Sequence, residues 1–351
     1  MKKLISLTLA LVLALAAFIV PAAAEENTFA AKTGMLTILN LSEAEAADLM
    51  ESNTLSMREL LERGVIKSEL YSMGSSIDHR YEVTYYDTLD TMLMALNTGT
   101  INNACLNLSV ARYLCARNDN LLQVFEINET ADQDDDVAVQ IFKNRVTSDF
   151  SFMMLDKNTM LRDEFSDAIR SLREDGTLAR LEEEQINGAV NGSEIAPVQM
   201  PVLEGAPTIR VAVTGSLPPM DYISADGTPA GFSTALLAEI STRIAKNIEL
   251  VPTDSLGRAT ALSTGVVDVV FWTRTNTEGD RVSRLTEEER QAEQATMSEA
   301  ELAVLRQLGA MMDIQQIAKM DMPDGTIVTD PYYSDIYVPI VTKTFVDSYS
   351  K

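Results

Sequence analysis

The residue types best suited to binding a small polar ligand occur together at one place in the sequence. Trp272, Thr273, Arg274 and Thr275 directly follow an apolar, strand-like run at 267–271. The indole offers a planar apolar surface, and the arginine guanidinium beside it can hold a carboxylate through two parallel hydrogen bonds. This pattern predicts a carboxylate-binding site. Two alternatives remain open, namely that Trp272 packs in a core and that Arg274 forms a surface ion pair.

Further polar candidates follow other strand-like segments. They are Ser216, Asp221 and Tyr222, together with Asn40, Ser42 and Asn107. Open α/β sheets bind ligands in the crevice beyond the carboxyl ends of their strands. We therefore predict that loops from two facing sheets enclose the ligand in one cleft.

The composition excludes several kinds of chemistry. The chain has a single histidine, His79, in a polar stretch between Asp78 and Arg80. A histidine-based hydrolytic triad and a histidine-rich zinc site are therefore not expected, and no metal or cofactor is predicted. Cys105 and Cys115 are too few for a disulfide framework, and we expect two buried free thiols.

The charge balance restricts the partners. The 351 residues include 52 acidic and 28 basic ones, which gives a formal net charge of −24. A field of this sign repels nucleic acid and anionic lipid, so neither is expected as a partner. High negative charge also favours solubility, and we expect a monomer.

The beginning of the sequence has the pattern of an export signal. Lys2 and Lys3 precede an apolar run at 4–20, and small residues follow at 21–24. This pattern predicts a signal peptide at 1–24 that is cleaved after Ala24, and hence a secreted or extracytoplasmic protein. An uncleaved membrane anchor is the alternative, because the run is long enough to cross a bilayer.

Strand-like and helix-like segments alternate along the rest of the chain, which favours an α/β fold with parallel sheets. The stretch at 188–207 contains three prolines and little regular pattern, so it is the best candidate for a linker. Residues 87–102 and 254–268 share a strand, helix, Thr-Gly turn and strand at nearly equal spacing. This internal repeat suggests two lobes of similar topology, although two ordinary βαβ units could also produce it.

Five short motifs after the linker carry a family resemblance. They lie at 209–213, 218–222, 226–232, 267–270 and 330–333, the last being Asp-Pro-Tyr-Tyr. Together they resemble the first lobe of the extracytoplasmic solute-binding proteins of the polar amino-acid transporter type, bacterial solute-binding protein family 3. The part before the linker resembles the second lobe of the same family.

The resemblance implies a two-lobed periplasmic-binding-protein-like α/β fold with a hinge and a circularly permuted order of the lobes. Lobe two would occupy 33–144, a helical segment returning to lobe one 145–187, the linker 188–207, and lobe one 208–345. An acidic helical insertion at 278–324 departs from the family pattern. Permutation costs little when the original termini lie close together at the surface.

The resemblance also implies a function, the binding of an amino-acid-like or other carboxylate solute for uptake through an ABC-type permease. Thr273 and Thr275 match positions that contact the α-amino and α-carboxylate groups of an amino acid. The family's carboxylate-binding arginine would stand at Asp280, so that Arg274 takes its place, with Arg281 as the next candidate. The family's amino-binding acidic residue is matched by the neutral Asn107.

Two other functions stay open at this point. A dehydratase-like enzyme acting on a cyclic carboxylic acid would need a buried acid in the cleft, for which Asp221 is the candidate. A ligand sensor or scaffold would use lobe closure or the acidic insertion to engage a membrane partner. Neither alternative changes the expected fold.

Overall fold

The computed structural model describes residues 30–36, 63–67, 80–128, 147–224, 226–254, 257–275 and 325–349, with a few isolated positions besides. The predicted signal peptide, Asn40, Ser42, His79, Asp280, Arg281 and nearly all of the predicted acidic insertion lie outside the described residues. Within those ranges, no helix combines the length and the apolar character that crossing a membrane requires.

The described strands are β1 (Ala30–Leu36), β2 (Ile66–Lys67), β3 (Arg80–Tyr86), β4 (Asn103–Asn107), β5 (Leu121–Gln123), β6 (Glu126–Ile127), β7 (Thr147–Leu155), β8 (Thr208–Val213), β9 (Ser216–Leu217), β10 (Asp221–Ile223), β11 (Pro229–Ala230), β12 (Asn247–Pro252), β13 (Val269–Thr275), β14 (Thr326–Val328) and β15 (Tyr333–Thr342). Ten of them form one sheet, whose central path runs β12-β8-β13-β7-β15-β4-β1-β3.

The described helices are α1 (Leu89–Asn97), α2 (Leu108–Arg117), α3 (Thr159–Glu174), α4 (Thr177–Leu181), α5 (Gly188–Val190), α6 (Phe232–Ile244), α7 (Gly257–Ser263) and α8 (Lys343–Tyr349). A π-helical turn, Glu182–Asn187, connects α4 to α5. Helices thus alternate with the strands of the large sheet, and the predicted α/β class is confirmed.

The large sheet consists of two halves with the same arrangement. In lobe one, β12, β8 and β13 are parallel neighbours, β7 lies antiparallel beside β13, and β14 pairs with β7. In lobe two, β3, β1 and β4 are parallel neighbours, β15 lies antiparallel beside β4, and β5 pairs with β15. This repeated order confirms the predicted two-lobed arrangement.

The fourth strand of each lobe comes from the other half of the chain. Strand β7 follows the lobe-two segments and enters lobe one, whereas β15 follows the lobe-one segments and enters lobe two. The two strands pair with each other where they cross, with Tyr333 opposite Phe150 and Asp335 opposite Ser148. The lobes are therefore joined through two adjacent crossing strands.

Helix α3 packs on lobe one, against α6 and β14. Its buried residues Phe165, Ala168, Ile169 and Leu172 recur at the spacing of one helix face, and this apolar stripe holds the helix on the lobe. Ion pairs support the contact at its rim, for example the 2.5 Å pair between Lys246 and Glu164. The domain bounds and the permuted order drawn from the resemblance remain predictions.

Candidate functional site

The four residues Trp272 to Thr275 lie within strand β13 rather than in a loop after it. The sequence pattern ended this strand at Phe271, whereas β13 continues to Thr275 because β7 supplies an antiparallel partner, with Arg274 opposite Phe150. The register shifts between Val270 and Thr273, as a β-bulge does. The loop assignment was therefore wrong, since the pairing partner lies more than a hundred residues away in the sequence.

Trp272 stands at the bulge in an unusual conformation and is fully buried. Its φ is 57°, in the left-handed region that bulky side chains rarely adopt. Its backbone N–H donates to the Tyr332 hydroxyl at 3.1 Å, and its indole stacks on Phe150 with 3.8 Å between the ring centroids. The indole Nε1–H has no hydrogen-bond partner. The Trp272 indole is thus mostly packed in the core, but its Nε1–H donates no hydrogen bond.

Arg274 is buried, with 4% of its surface exposed, so the alternative of a surface ion pair is wrong. Its Nε donates to the Ser148 hydroxyl at 2.6 Å, and its Cζ lies 5.8 Å from the centre of the Tyr337 ring. Within the described ranges, no carboxylate forms an ion pair with it. Burial lowers the pKa of Arg274, while Tyr337 and Asp149 act in the opposite direction. The guanidinium remains charged, because arginine is not deprotonated in proteins.

Asn107 contributes from lobe two. It is the last residue of β4 and the N-cap of α2, and its register partner on β15 is Tyr337. Its side chain makes no capping hydrogen bond and acts on the Tyr337 hydroxyl, whose pKa it lowers against the effect of burial, but its buried Nδ2 forms no well-aligned hydrogen bond. Arg274 approaches the Tyr337 ring from lobe one while Asn107 pairs with Tyr337 in lobe two. The structure therefore brings these two predicted site residues to the same tyrosine.

A buried carboxylate, which the sequence analysis missed, completes this region. Asp335 Oδ2 accepts hydrogen bonds from the Ser109 backbone N–H at 3.0 Å, the Ser109 hydroxyl at 2.6 Å and the Tyr333 hydroxyl at 3.4 Å. The Ser109 hydroxyl also lies 3.6 Å from the Met220 sulfur of lobe one. Asp335 occurs two residues after the Asp-Pro-Tyr-Tyr motif, the only sequence signal that could have indicated it.

Asp221 belongs to the short β9–β10 hairpin and stabilises a turn. It is buried, and its carboxylate accepts hydrogen bonds from the backbone N–H groups of Thr214 and Gly215 and from the Thr214 hydroxyl. Burial raises the pKa of Asp221, and these three donors act to lower it. Because its carboxylate is engaged by the loop, it holds the loop rather than presenting a free acid. In the same hairpin, Ser216 is exposed and Tyr222 is half-buried.

Thr273 and Thr275 lie on the face of β13 opposite to Arg274, since side chains alternate along a strand. The Thr275 hydroxyl is 3.2 Å from the Ser151 hydroxyl on that opposite face. The structure therefore brings Arg274 and Asn107 to Tyr337, with Trp272 two residues before Arg274 on β13, but it does not bring the two threonines to that place. Asn40 and Ser42 lie outside the described ranges. Among the residues that the structure describes, no group of three or more metal-binding side chains is suitable for a metal ion.

The class of protein is indicated by a family match to part of the chain. Residues 209–289 match the bacterial extracellular solute-binding proteins, family 3. Over this segment, the family predicted from the sequence motifs is confirmed, and it is a family of binding proteins. No curated protein sequence matches the chain.

The solved structures that match this chain have low sequence identity and low structural similarity to it. The ligand-binding component of an ABC-type import system from Staphylococcus aureus is 10% identical, at a TM-score of 0.36, over 90% of this chain and 67% of that one. The alkanesulfonate-binding protein of Xanthomonas axonopodis pv. citri is 9% identical, with a TM-score of 0.34, and the match covers 93% of this chain and 69% of that one. The GluR0 ligand-binding core of Nostoc punctiforme, in complex with L-glutamate, is 11% identical, with a TM-score of 0.30, and the match covers 91% of this chain and 90% of that one. Scores this low transfer no ligand or residue role to this chain.

Proposed function

We propose that the protein binds a small carboxylate-bearing polar solute between its two lobes, outside the cytoplasm, for uptake by an ABC-type permease. The match of residues 209–289 to extracellular solute-binding proteins supports the class of function. The signal-peptide pattern at 1–24 supports export, and the strongly negative chain favours a soluble monomer without nucleic-acid partners.

The observation that carries the choice of ligand is the guanidinium of Arg274. It is buried beside Ser148 and Tyr337, and its Nε–H is satisfied, but it forms no ion pair with the described carboxylates. A buried charge without a counterion is costly, and native proteins keep such a group mainly where a ligand or partner neutralises it. A carboxylate is the natural counterion, because arginine can bind it through two hydrogen bonds.

Two further unused donors favour a ligand that is rich in acceptors. The indole Nε1–H of Trp272 and the Nδ2 of Asn107 are both buried without a well-aligned hydrogen bond. Trp272 belongs to lobe one and Asn107 to lobe two, on either side of the crossing strands. A solute with a carboxylate and a carbonyl or hydroxyl oxygen would satisfy donors from both lobes, and closing the lobes on it would add contacts.

The test combines affinity with stability. The bound solute is identified by mass spectrometry of the purified protein and then titrated calorimetrically into wild type, Arg274→Gln and the control Arg180→Gln, whose arginine forms exposed ion pairs. Arg274→Gln should weaken binding about tenfold to a hundredfold, because a charge-assisted contact is lost. Without ligand, it should be at least as stable as wild type, since an uncompensated buried charge is removed. Unchanged affinity, or a solute without any anionic group, would refute the assignment.

A further inference from the structure

The N-terminus of helix α2 is occupied by a carboxylate of the same chain. Asn107 provides no side-chain cap there, and the Ser109 N–H is instead satisfied by Asp335, 226 residues away in the sequence. The N-terminus of a helix is a favourable place for an anion, because free N–H groups and the helix dipole both attract negative charge. In this protein, Asp335 already occupies that place.

Most of the hydrogen-bonding capacity of the Asp335 carboxylate is used within the protein. Oδ2 accepts from Ser109 and Tyr333, Oδ1 accepts from the Ile336 N–H at 2.8 Å, and 7% of the residue is exposed. A carboxylate with this set of donors has little remaining capacity to accept a hydrogen bond from a ligand. It acts on its surroundings mainly through its negative charge.

Arg274 and Asp335 lie on either side of the same crossing strand. Ser148 of β7 accepts the hydrogen bond from Arg274 and is also the register partner of Asp335. Strands β13 and β15 are the two neighbours of this part of β7, so their backbones are about two strand spacings, roughly 10 Å, apart. Where the lobes meet, the sheet thus carries the positive charge of Arg274 on the side of lobe one and the negative charge of Asp335 on the side of lobe two.

We propose that Asp335 determines the specificity of the cleft by excluding a second anionic group, so that the ligand carries one carboxylate, held by Arg274, and presents a neutral acceptor to lobe two. The Nδ2 of Asn107 is buried beside the Tyr337 hydroxyl without a well-aligned hydrogen bond, and it is the donor for that neutral oxygen. This inference rests on the proposed function, because it concerns the other end of the same ligand.

The test compares dicarboxylates with their monoamides at equal chain length, using the pairs succinate and succinamate, and glutarate and glutaramate. Wild type should bind the better monoamide at least about tenfold more tightly than the matching diacid, because a second carboxylate would face a like charge. Asp335→Asn keeps the shape but removes the charge, and should reduce the preference to about threefold or less. The control Asp330→Asn, which alters an exposed ion pair with Arg170, should leave the preference unchanged.

The outcomes separate the two proposals. A diacid that binds wild type as tightly as its monoamide overturns the role of Asp335 while leaving carboxylate binding intact. If neither series binds, and Arg274→Gln does not change the affinity for the co-purified solute, the carboxylate assignment itself and the specificity built on it are overturned. If Asp335→Asn does not fold, the comparison of diacid and monoamide in wild type still decides the question.

Discussion

Replacing Ser109 with alanine removes the shorter of the two hydrogen bonds by which lobe two holds Asp335. The lost bond is 2.6 Å long and joins a hydroxyl to a buried carboxylate, and the 3.0 Å bond from the Ser109 N–H remains. Hydrogen bonds to charged groups contribute about 1.5–3 kcal/mol. Because only one atom is removed, the cavity contribution is small, and we expect the free energy of unfolding at neutral pH to fall by about 2 kcal/mol.

The loss should depend on pH in a defined direction. Burial raises the pKa of Asp335, and the Ser109 hydroxyl is the first of the hydrogen bonds that lower it. For a carboxyl group with a raised folded-state pKa, the associated stability is present below the unfolded-state pKa and is lost as pH rises through the folded-state pKa. Removing the hydroxyl raises the pKa of Asp335 further, so the deficit of the variant grows as the pH rises.

The assay is urea unfolding of wild type and Ser109→Ala between about pH 5 and pH 8. The control is Ser224→Ala, which removes a 2.7 Å bond to the exposed Asp226 and a 2.6 Å bond to the Thr228 carbonyl oxygen, and should cost less than Ser109→Ala, with little pH dependence in this range. A deficit for Ser109→Ala that shrinks as the pH rises would contradict the assigned role of the Ser109 hydroxyl in lowering the pKa of Asp335. A deficit no larger than that of the control would show that the Ser109 hydroxyl does not stabilise the buried Asp335 carboxylate.

Two further predictions concern residues outside the candidate site. A Cβ atom added at Gly231 would lie 2.7 Å from two backbone carbonyl oxygens, so Gly231→Ala should lower the free energy of unfolding in urea by about 2–4 kcal/mol. Gly227 has open space around it, so Gly227→Ala should cost only about 1 kcal/mol. Equal losses would contradict the packing argument. Cys105 is buried as expected, whereas Cys115 is only half-buried. Burial raises the pKa of Cys105 to about 12 and that of Cys115 to about 11, so Cys105 should not react with a disulfide reagent near pH 8 until the protein is unfolded, and Cys115 should react much more slowly than a free thiol. Rapid labelling of both thiols in the native protein would contradict this.

Local sequence patterns predicted much of the fold. The helical segment expected at 145–187 contains α3, which extends from Thr159 to Glu174. The family motif at 209–213 lies within strand β8, Thr208–Val213. These elements were predictable because periodicity and turn residues act within a few positions of one another. The same reasoning failed at the end of β13, where a distant strand extends the pairing to Thr275.

The candidate site was predictable only in part. Arg274 and Asn107 were singled out because polar residues near strand ends are typical of ligand sites, and both lie at Tyr337. Ser148 and Asp335 were missed, since their importance depends on the pairing of β7 with β15, strands that are more than 180 residues apart. No local pattern in the sequence specifies that register.

The exchange of strands between the lobes also determines the order in which the protein can be completed. Lobe two is encoded first, yet its fourth strand, β15, extends to Thr342, nine residues before the end of the 351-residue chain. Until that strand has been synthesised, β4 and β5 lack the partner that joins them, and their edges remain open to pairing with another chain. A truncation before Tyr333 would therefore leave the earlier lobe without its fourth strand. Long-range pairing of this kind also predicts slow folding, with incomplete chains that are prone to aggregation.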